Sequence, residues 1–331
     1  MKNILVVGAG SIGQRHIESI GKLKYSFNIH VVDLIDSHLT IAKSLFFGNI
    51  KKFKNKNFFS YKKLPKINNE IDVVIIATTV DVRKEILNKL LKINKVKYLI
   101  LEKMAFDNIK DFKKALSITK QKKIPTYVNF TRRLNSFYLN LKNHLKKQKN
   151  IYFSVVGNNW GLASNSFHNL DLFIFLTGCK KIKNISSKID KKFYKTARKN
   201  FIDVKGHFTF SNEFGDIIYM EDFRNPNSPK NSMYGGGIKI ETELNTYIIY
   251  ESFEKVVVID NKYNANLKIK KIYLEKQSEL TFKIIKNIFN KKPIKLPSLE
   301  ESFISHKAIL LNLDNYLKFL SKRKISKFKI T

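Results

Sequence analysis

Three glycines near the N-terminus constrain this chain more than any other feature. Residues 3–7 form a short apolar run, and it breaks at once into Gly8-Ala9-Gly10-Ser11-Ile12-Gly13. A helical pattern follows over 11–21, with Ile12, Ile17 and Ile20 as its apolar points. Strand, G-x-G-x-x-G turn and helix in direct succession require a βα unit with the helix laid against the strand. In such a unit Gly8 makes the tight turn, Gly10 keeps the backbone open to a pyrophosphate, and Gly13 lets helix and strand pack closely. The N–H groups of the first helical turn, at Ser11 and Ile12, then face the phosphates. Asp33 stands at the end of the next apolar segment. A carboxylate there hydrogen-bonds the two hydroxyls of an adenosine ribose and repels a 2′-phosphate, which favours NAD over NADP. Leu34 brings no positive charge to offset that repulsion. Without a ligand the same turn is only a tight connection; strand, helix and acid together favour dinucleotide binding.

The alternation continues. Strand-like runs at 28–33, 58–61, 71–77, 98–101 and 126–130 are interleaved with helical ones at 37–47, 82–91 and 108–119. Near-continuous apolar strands mark a parallel sheet covered on both faces. Further on the pattern changes. Helices are predicted at 135–147 and 169–177 around a strand at 152–157. Extended segments follow at 199–204, 207–210, 216–223, 239–243, 245–251, 255–260 and 266–273. Such a succession with short turns predicts an open, mainly antiparallel sheet. Helices around 280–289 and 303–320 and a basic tail end the chain. The expected fold class is α/β. A Rossmann dinucleotide-binding domain spans 1–125, and an α+β domain for substrate binding and oligomerisation spans 126–331, with a few C-terminal residues free to rejoin the first. Gly235-Gly236-Gly237 reads as a flexible loop.

Composition excludes several other classes. Hydrophobic residues make up 43% of the chain, too many for a disordered one. The single cysteine, Cys179, cannot form an internal disulfide. No run reaches the ~18 apolar residues a membrane helix needs, and the first strand is too short for a signal sequence. A cytoplasmic protein without membrane insertion is expected. The seven histidines are scattered, and nothing has metal-ligand spacing. Lys and Arg total 62 against 27 Asp and Glu, a formal charge of +35. The basic residues run through both expected domains, with no confined stripe and no nucleic-acid motif. The excess therefore favours small anionic partners over a specific nucleic acid.

In an open parallel sheet the ligand lies over the C-terminal strand ends. Thr78 and Thr79 follow one such end, so their hydroxyls are expected to line the cofactor groove or to cap the next helix. Glu102 and Lys103 follow another. A lysine there can hydrogen-bond a substrate hydroxyl and steady oxyanion charge. Arg83 and Lys84 read as helix-surface charge.

The residues from Val6 to His16, together with Glu102-Lys103-Met104, Asn129-Phe130-Thr131-Arg132-Arg133 and His168-Asn169-Leu170-Asp171, resemble the Gfo/Idh/MocA family of nicotinamide-dependent sugar oxidoreductases. Order and spacing match over residues 1 to about 180. The resemblance implies NAD in the first domain, with Glu102 beside it. It also implies a carbohydrate partner, nucleotide-activated or anionic, against the second domain's sheet, and a homo-oligomer built through that sheet. Proton transfer falls to Lys103 and His168. Many family members carry an aspartate four residues before the histidine; here that residue is Ser164, so the relay or the substrate class differs. Asn165 is then a candidate for orienting a sugar hydroxyl. Asp171, three residues after His168, is a candidate for orienting the ring or contacting substrate, or for capping a first turn. Arg132, Arg133, Trp160 and Tyr234 complete the substrate candidates. Met104 takes the place of the family's proline, and a cis bond before a non-proline residue costs ~3 to 4 kcal/mol, so none is assumed.

The expected function is hydride transfer between NAD and a carbohydrate hydroxyl or ketone, within surface-polysaccharide synthesis. Two other classes stand beside it: a family member using the dinucleotide for non-dehydrogenase sugar chemistry, and a non-enzymatic nucleotide-sensing or polyanion-binding protein.

Overall fold

The computed structural model describes all residues except 49–54, 193, 196–200, 224–233, 263–265, 323–328 and 331. The chain forms two compact units: Met1–Leu134 with Glu275–Glu300, and Asn135–Leu274 with Glu301–Thr331.

The first unit begins with β1 (Lys2–Val7), α1 (Ser11–Gly21), β2 (Phe27–Val32), α2 (Asp36–Gly48), β3 (Lys56–Tyr61) and β4 (Ile71–Ile76). It continues with α3 (Val80–Ile93), β5 (Val96–Leu101), α4 (Ile109–Gln121) and β6 (Thr126–Val128). The six strands pair in parallel in the order β3-β2-β1-β4-β5-β6. Strand order reverses between β1 and β4, which opens a crevice at their C-terminal ends. Every residue of β4 is buried, which explains its unbroken apolar run. On one face Ile4, Val6, Ile29, Val31, Val73 and Ile75 pack with Ile17 and Ile20 of α1 and with Ala42 and Phe46 of α2. Ile12 does not join them. It is 40% exposed, because Gly13 and Ile17 take the sheet-facing positions and leave Ile12 on the open side of the glycine turn.

The second unit contains α5 (Ser136–Leu145), β7 (Tyr152–Asn158), α6 (Leu162–Thr177), β8 (Ile182–Ile189), β9 (Tyr194–Lys195) and β10 (Phe201–Asp203). After these come β11 (Gly206–Asn212), β12 (Ile217–Phe223), β13 (Tyr234–Glu241), β14 (Asn245–Tyr250), β15 (Lys255–Asp260) and β16 (Leu267–Lys271). Eight strands pair in the order β16-β15-β14-β13-β7-β12-β11-β8. All neighbours are antiparallel except β7 and β12. Strand alternation sends Phe153, Val155, Phe208, Phe210, Ile218, Met220, Ile238 and Ile240 inward. Phe153 meets Phe173 of α6 edge to face, with ring centroids 6.0 Å apart.

Residues 275–300 return to the first unit, where Ile284, Ile285 and Ile288 of α7 (Gln277–Phe289) join its core. Helix α8 (Leu299–Lys322) lies mostly in the second unit. The short β17 (Lys329–Ile330) pairs with β10, and β10 with β9.

Two local expectations are corrected, and one strand was not foreseen. Gly235 to Gly237 form no loop. They lie in β13, where a bulge separates Gly235 from Ile238 and a side chain at Gly237 would press on the Ile249 carbonyl at 2.8 Å. Helix α6 begins at Leu162, seven residues before the predicted start, because its polar first turns hide the helical period. Strand β8 gave no sequence signal: its six central residues are exposed and polar or mixed, as suits an edge strand.

Candidate functional site

The glycine turn is built as its spacing requires. Gly8 has φ +96°, and a Cβ on it would lie 2.9 Å from the Ala77 backbone. A Cβ on Gly13 would fall 1.9 Å from the Gly8 carbonyl oxygen, so only glycine lets α1 approach β1 this closely. At Gly10 a Cβ would meet nothing within 4 Å. No side chain caps α1, which leaves its first amides available to an anion. Ser11 and Ile12 beside them are exposed. The Asp33 carboxylate accepts hydrogen bonds from Ala9 N at 2.6 Å and Ile35 N at 2.9 Å, and meets His38 Nδ1 at 3.2 Å. It thus ties the turn to the end of β2. A carboxylate has about four acceptor positions, so capacity remains for a ribose hydroxyl. Thr78, at the end of β4, has a buried hydroxyl with no hydrogen-bond partner among the described residues. Thr79 is the N-cap of α3 without a side-chain capping bond. Open space at Gly10, uncapped amides and an orphaned hydroxyl at a strand end fit a bound dinucleotide.

Lys103 lies half-buried in the bend after β5, and the Lys103–Met104 peptide is cis. Arg83 holds this bend. It is no surface charge: it lies 2% exposed. Its guanidinium donates to the carbonyls of Glu102 at 2.6 Å and Ala105 at 3.1 Å, and to those of Met104 and Thr78. Burial pushes its pKa down to about 10, against the pull of Glu102, Asp107 and Asp81. Glu102 turns inward rather than lining an open groove. Its Oε1 meets His16 Nε2 at 2.9 Å and accepts from Asn129 Nδ2. His16 Nδ1 in turn meets Thr281 Oγ1 at 2.8 Å, and Asn129 Nδ2 donates to Gln277 Oε1 at 2.9 Å. Burial alone would raise the Glu102 carboxyl, but His16, Asn129 and Arg83 outweigh it and hold the group below its ordinary value. Nothing in the local sequence pattern marked Arg83, or joined His16 and Asn129 to residues of α7.

In the second unit α6 is buried almost all round. From Leu162 to Leu176, the residues that are not buried are Ser164, Asn165 and His168. They stand at i, i+1 and i+4, so they share one stripe of the helix. Asp171 lies 1% exposed in the third turn; the early start of α6 removes it from any first-turn cap. Trp160 is buried, and its indole Nε1 donates to the Glu221 carbonyl at 2.8 Å. Asn165 Nδ2 donates to the Trp160 carbonyl. Gly161, the N-cap of α6 at φ 85°, has no side chain to cap with. Two carboxylates from elsewhere do so. Asp222 at the end of β12 accepts from Asn159 N and Gly161 N at 2.7 Å each, and Asp203 at the end of β10 accepts from Ala163 N at 2.7 Å. No motif or spacing marks either carboxylate.

Arg132 and Arg133 lie in a 3-10 helix over Thr131–Leu134; Arg133 is buried and Arg132 half-buried. Tyr234 opens β13, and its side chain lies outside the described residues. Among the described residues, no group of three His, Cys, Asp or Glu is placed to hold a metal ion, and no helix is long and apolar enough to cross a membrane.

The Gfo/Idh/MocA model, described as an oxidoreductase family with an NAD-binding Rossmann fold, matches residues 2–130. Over these residues the chain is similar to that family and has its NAD-binding Rossmann fold. Several solved structures share the fold over nearly the whole chain. An oxidoreductase from Agrobacterium radiobacter, in complex with NAD+, L-tartaric acid and magnesium, is 13% identical, with a TM-score of 0.68 over 95% of this chain and 97% of that one. UDP-N-acetylglucosamine 3-dehydrogenase from Acidithiobacillus ferrooxidans is 10% identical, with a TM-score of 0.62 over 94% and 97%. Biliverdin reductase from Synechocystis, in complex with biliverdin and NADP+, is 12% identical, with a TM-score of 0.70 over 94% and 98%. No curated protein matches the sequence.

Proposed function

We propose that the protein transfers hydride between NAD and a hydroxyl or ketone of a carbohydrate, nucleotide-linked or acidic, of the kind used in surface-polysaccharide synthesis. The observation that carries this reading is the stripe on α6. From Leu162 to Leu176 this helix is buried except at a hydroxyl, an amide and an imidazole, the groups suited to a polyol. The nicotinamide supplies hydride acceptance or donation. His168 takes the proton of the reacting hydroxyl in oxidation and returns it in reduction. The Lys103 ammonium hydrogen-bonds the reacting oxygen and steadies its developing charge. Arg83 fixes the bend that aims Lys103. Ser164 and Asn165 orient the sugar hydroxyls, and Arg132 meets an anionic group. Asp33 selects NAD by its charge. The open sheet face, with Tyr152 and Val156 exposed on β7, is assigned to pairing of two copies.

Absorbance of NADH followed across a panel of nucleotide-linked and acidic sugars tests this. The active substrate should lose roughly 10²- to 10⁴-fold in turnover with His168→Ala or Lys103→Ala. Equal turnover in all three proteins removes the proton-transfer assignment. Asp33→Ala should lose NAD affinity while NADP affinity holds or rises.

A further inference from the structure

The start of α6 is held by carboxylates from two other strands, and they are not equivalent. Asp222 accepts its two amides and also pairs with Lys205 Nζ at 2.5 Å, so its charge is matched locally. The bonds to Asp203 come from neutral groups. Oδ1 accepts from Ala163 N at 2.7 Å and Val204 N at 2.8 Å, and Oδ2 accepts from the Ser164 hydroxyl at 2.7 Å. Ser164 has one hydroxyl proton. The hydroxyl lies 2.7 Å from Asp203 Oδ2 and 3.3 Å from the Gly161 carbonyl oxygen, so its proton goes to the nearer, charged acceptor, and its lone pairs are left to accept from a donor. His168 lies one turn further along the same half-buried stripe.

We propose that Asp203 is a positioning residue for His168: its buried carboxylate, reaching in from β10, fixes the polarity of the Ser164 hydroxyl and biases the imidazole one turn along toward holding a proton. This rests on the reading of His168 as the proton-transfer group. The physical need is clear. A helix N-terminus carries about half a positive charge and disfavours a cation near it. A carboxylate at the helix start opposes that field and favours the protonated form of a histidine near it. Asp203 and Ser164 thus act together, with the charge on a strand and the hydroxyl on the helix. A group of the substrate that meets Ser164 is then a donor, as a hydroxyl is.

Other ionisable groups surround Asp203. Asp222 of β12 repels it, Lys205 follows two residues on, and Tyr316 of α8 feels it together with Tyr194 and Asp190. Burial holds the Asp203 carboxyl above its ordinary value, against the hydrogen bonds from Ser164, Val204 and Ala163. The bias on His168 is therefore withdrawn on acidification.

The test is an NMR titration of the histidine ring carbons in the full chain, with the His168 signal assigned through His168→Gln. Wild type is compared with Asp203→Asn and Ser164→Ala, and NAD binding serves as the check that each variant is folded. The His168 midpoint should fall by roughly 0.5 units or more in Asp203→Asn. It should fall in the same direction in Ser164→Ala, and the double variant should show less than the sum. Midpoints unchanged in both folded variants overturn the proposal. If Asp203→Asn does not fold, Ser164→Ala, which keeps both amide bonds to Asp203, decides alone. The titration needs no substrate. An inactive sugar panel therefore counts against the proposed function and leaves this coupling measurable, whereas an unchanged midpoint in active enzyme counts only against the coupling.

Discussion

A methyl group on Gly13 has nowhere to go. It would sit 1.9 Å from the Gly8 carbonyl oxygen and 2.8 Å from its carbon, both backbone atoms. Gly13→Ala should therefore cost at least about 2 to 3 kcal/mol by forcing α1 off β1, read as a lower melting temperature without ligand. Gly10 differs. Its φ is −65°, ordinary for alanine, and a Cβ there meets open space. Gly10→Ala should leave unliganded stability within about 0.5 kcal/mol and still weaken NAD binding, because the methyl fills the space a pyrophosphate needs. Equal melting temperatures for the two variants would contradict the packing role of Gly13. Unchanged NAD affinity in Gly10→Ala would contradict the phosphate role. This part of the site was legible because each glycine answers to neighbours within the same βα unit. Ile12 is an apolar point of the helical pattern and still lies outside the core, for a related reason: a helical period gives the spacing of a stripe, and the turn before the helix decides which way the stripe faces.

Elements are fastened by residues the periodicities do not reveal. Arg83 sits on α3, and its guanidinium serves carbonyls at the end of β4 and along the bend after β5. One side chain thus joins the ends of β4 and β5. Arg83→Met keeps the volume and strands those carbonyls without a donor. The expected loss is about 3 kcal/mol or more, measured by urea unfolding, together with a larger proportional loss of turnover than of NAD affinity. Arg83→Lys should recover only part of it, since an ammonium cannot reproduce the planar fork. Little change in either measurement would mean that the bend holds itself. Helix α6 teaches the same lesson. Its apolar second half was evident, but its first two turns read as loop, because Ser164, Asn165 and Ser166 are weak helix formers. Carboxylates from β10 and β12 supply the caps that this segment lacks.

Across the whole molecule, charge sets the response to acid. Asp72, Glu102, Asp111 and Glu213 are each held below their ordinary values against the cost of desolvation, by lysine, histidine, asparagine and backbone partners. Carboxyls of this kind contribute stability that is full above the ordinary values of 3.8 and 4.5 and is lost as pH falls through their lowered folded values. Asp203 and Asp222 are raised and act in the opposite sense: their unfavourable burial is relieved as they take up protons. Acid also adds to a formal charge that is already +35 and increases self-repulsion. The melting temperature should fall steeply as pH is lowered from about 5 to about 3. The fall should be shallower in 0.5 M salt, where the repulsion but not the buried bonds is screened. A flat profile over that range would mean that the four lowered carboxyls carry little of the stability.

The parallel sheet, the antiparallel sheet, the glycine turn and the strand-end positions of Asp33, Thr78 and Lys103 were all present in the order of residues. Each rests on forces that act within a few residues: side-chain alternation, helical period and the conformational freedom of glycine. What joins distant segments was not. The return of residues 275–300 to the first unit, the inward turn of Glu102 toward His16 and Asn129, and the bond from Ser164 to Asp203, 39 positions apart, depend on which surfaces meet when the cores close. A buried polar atom must find a partner once water is excluded, and packing, rather than spacing along the chain, determines which partner is in reach.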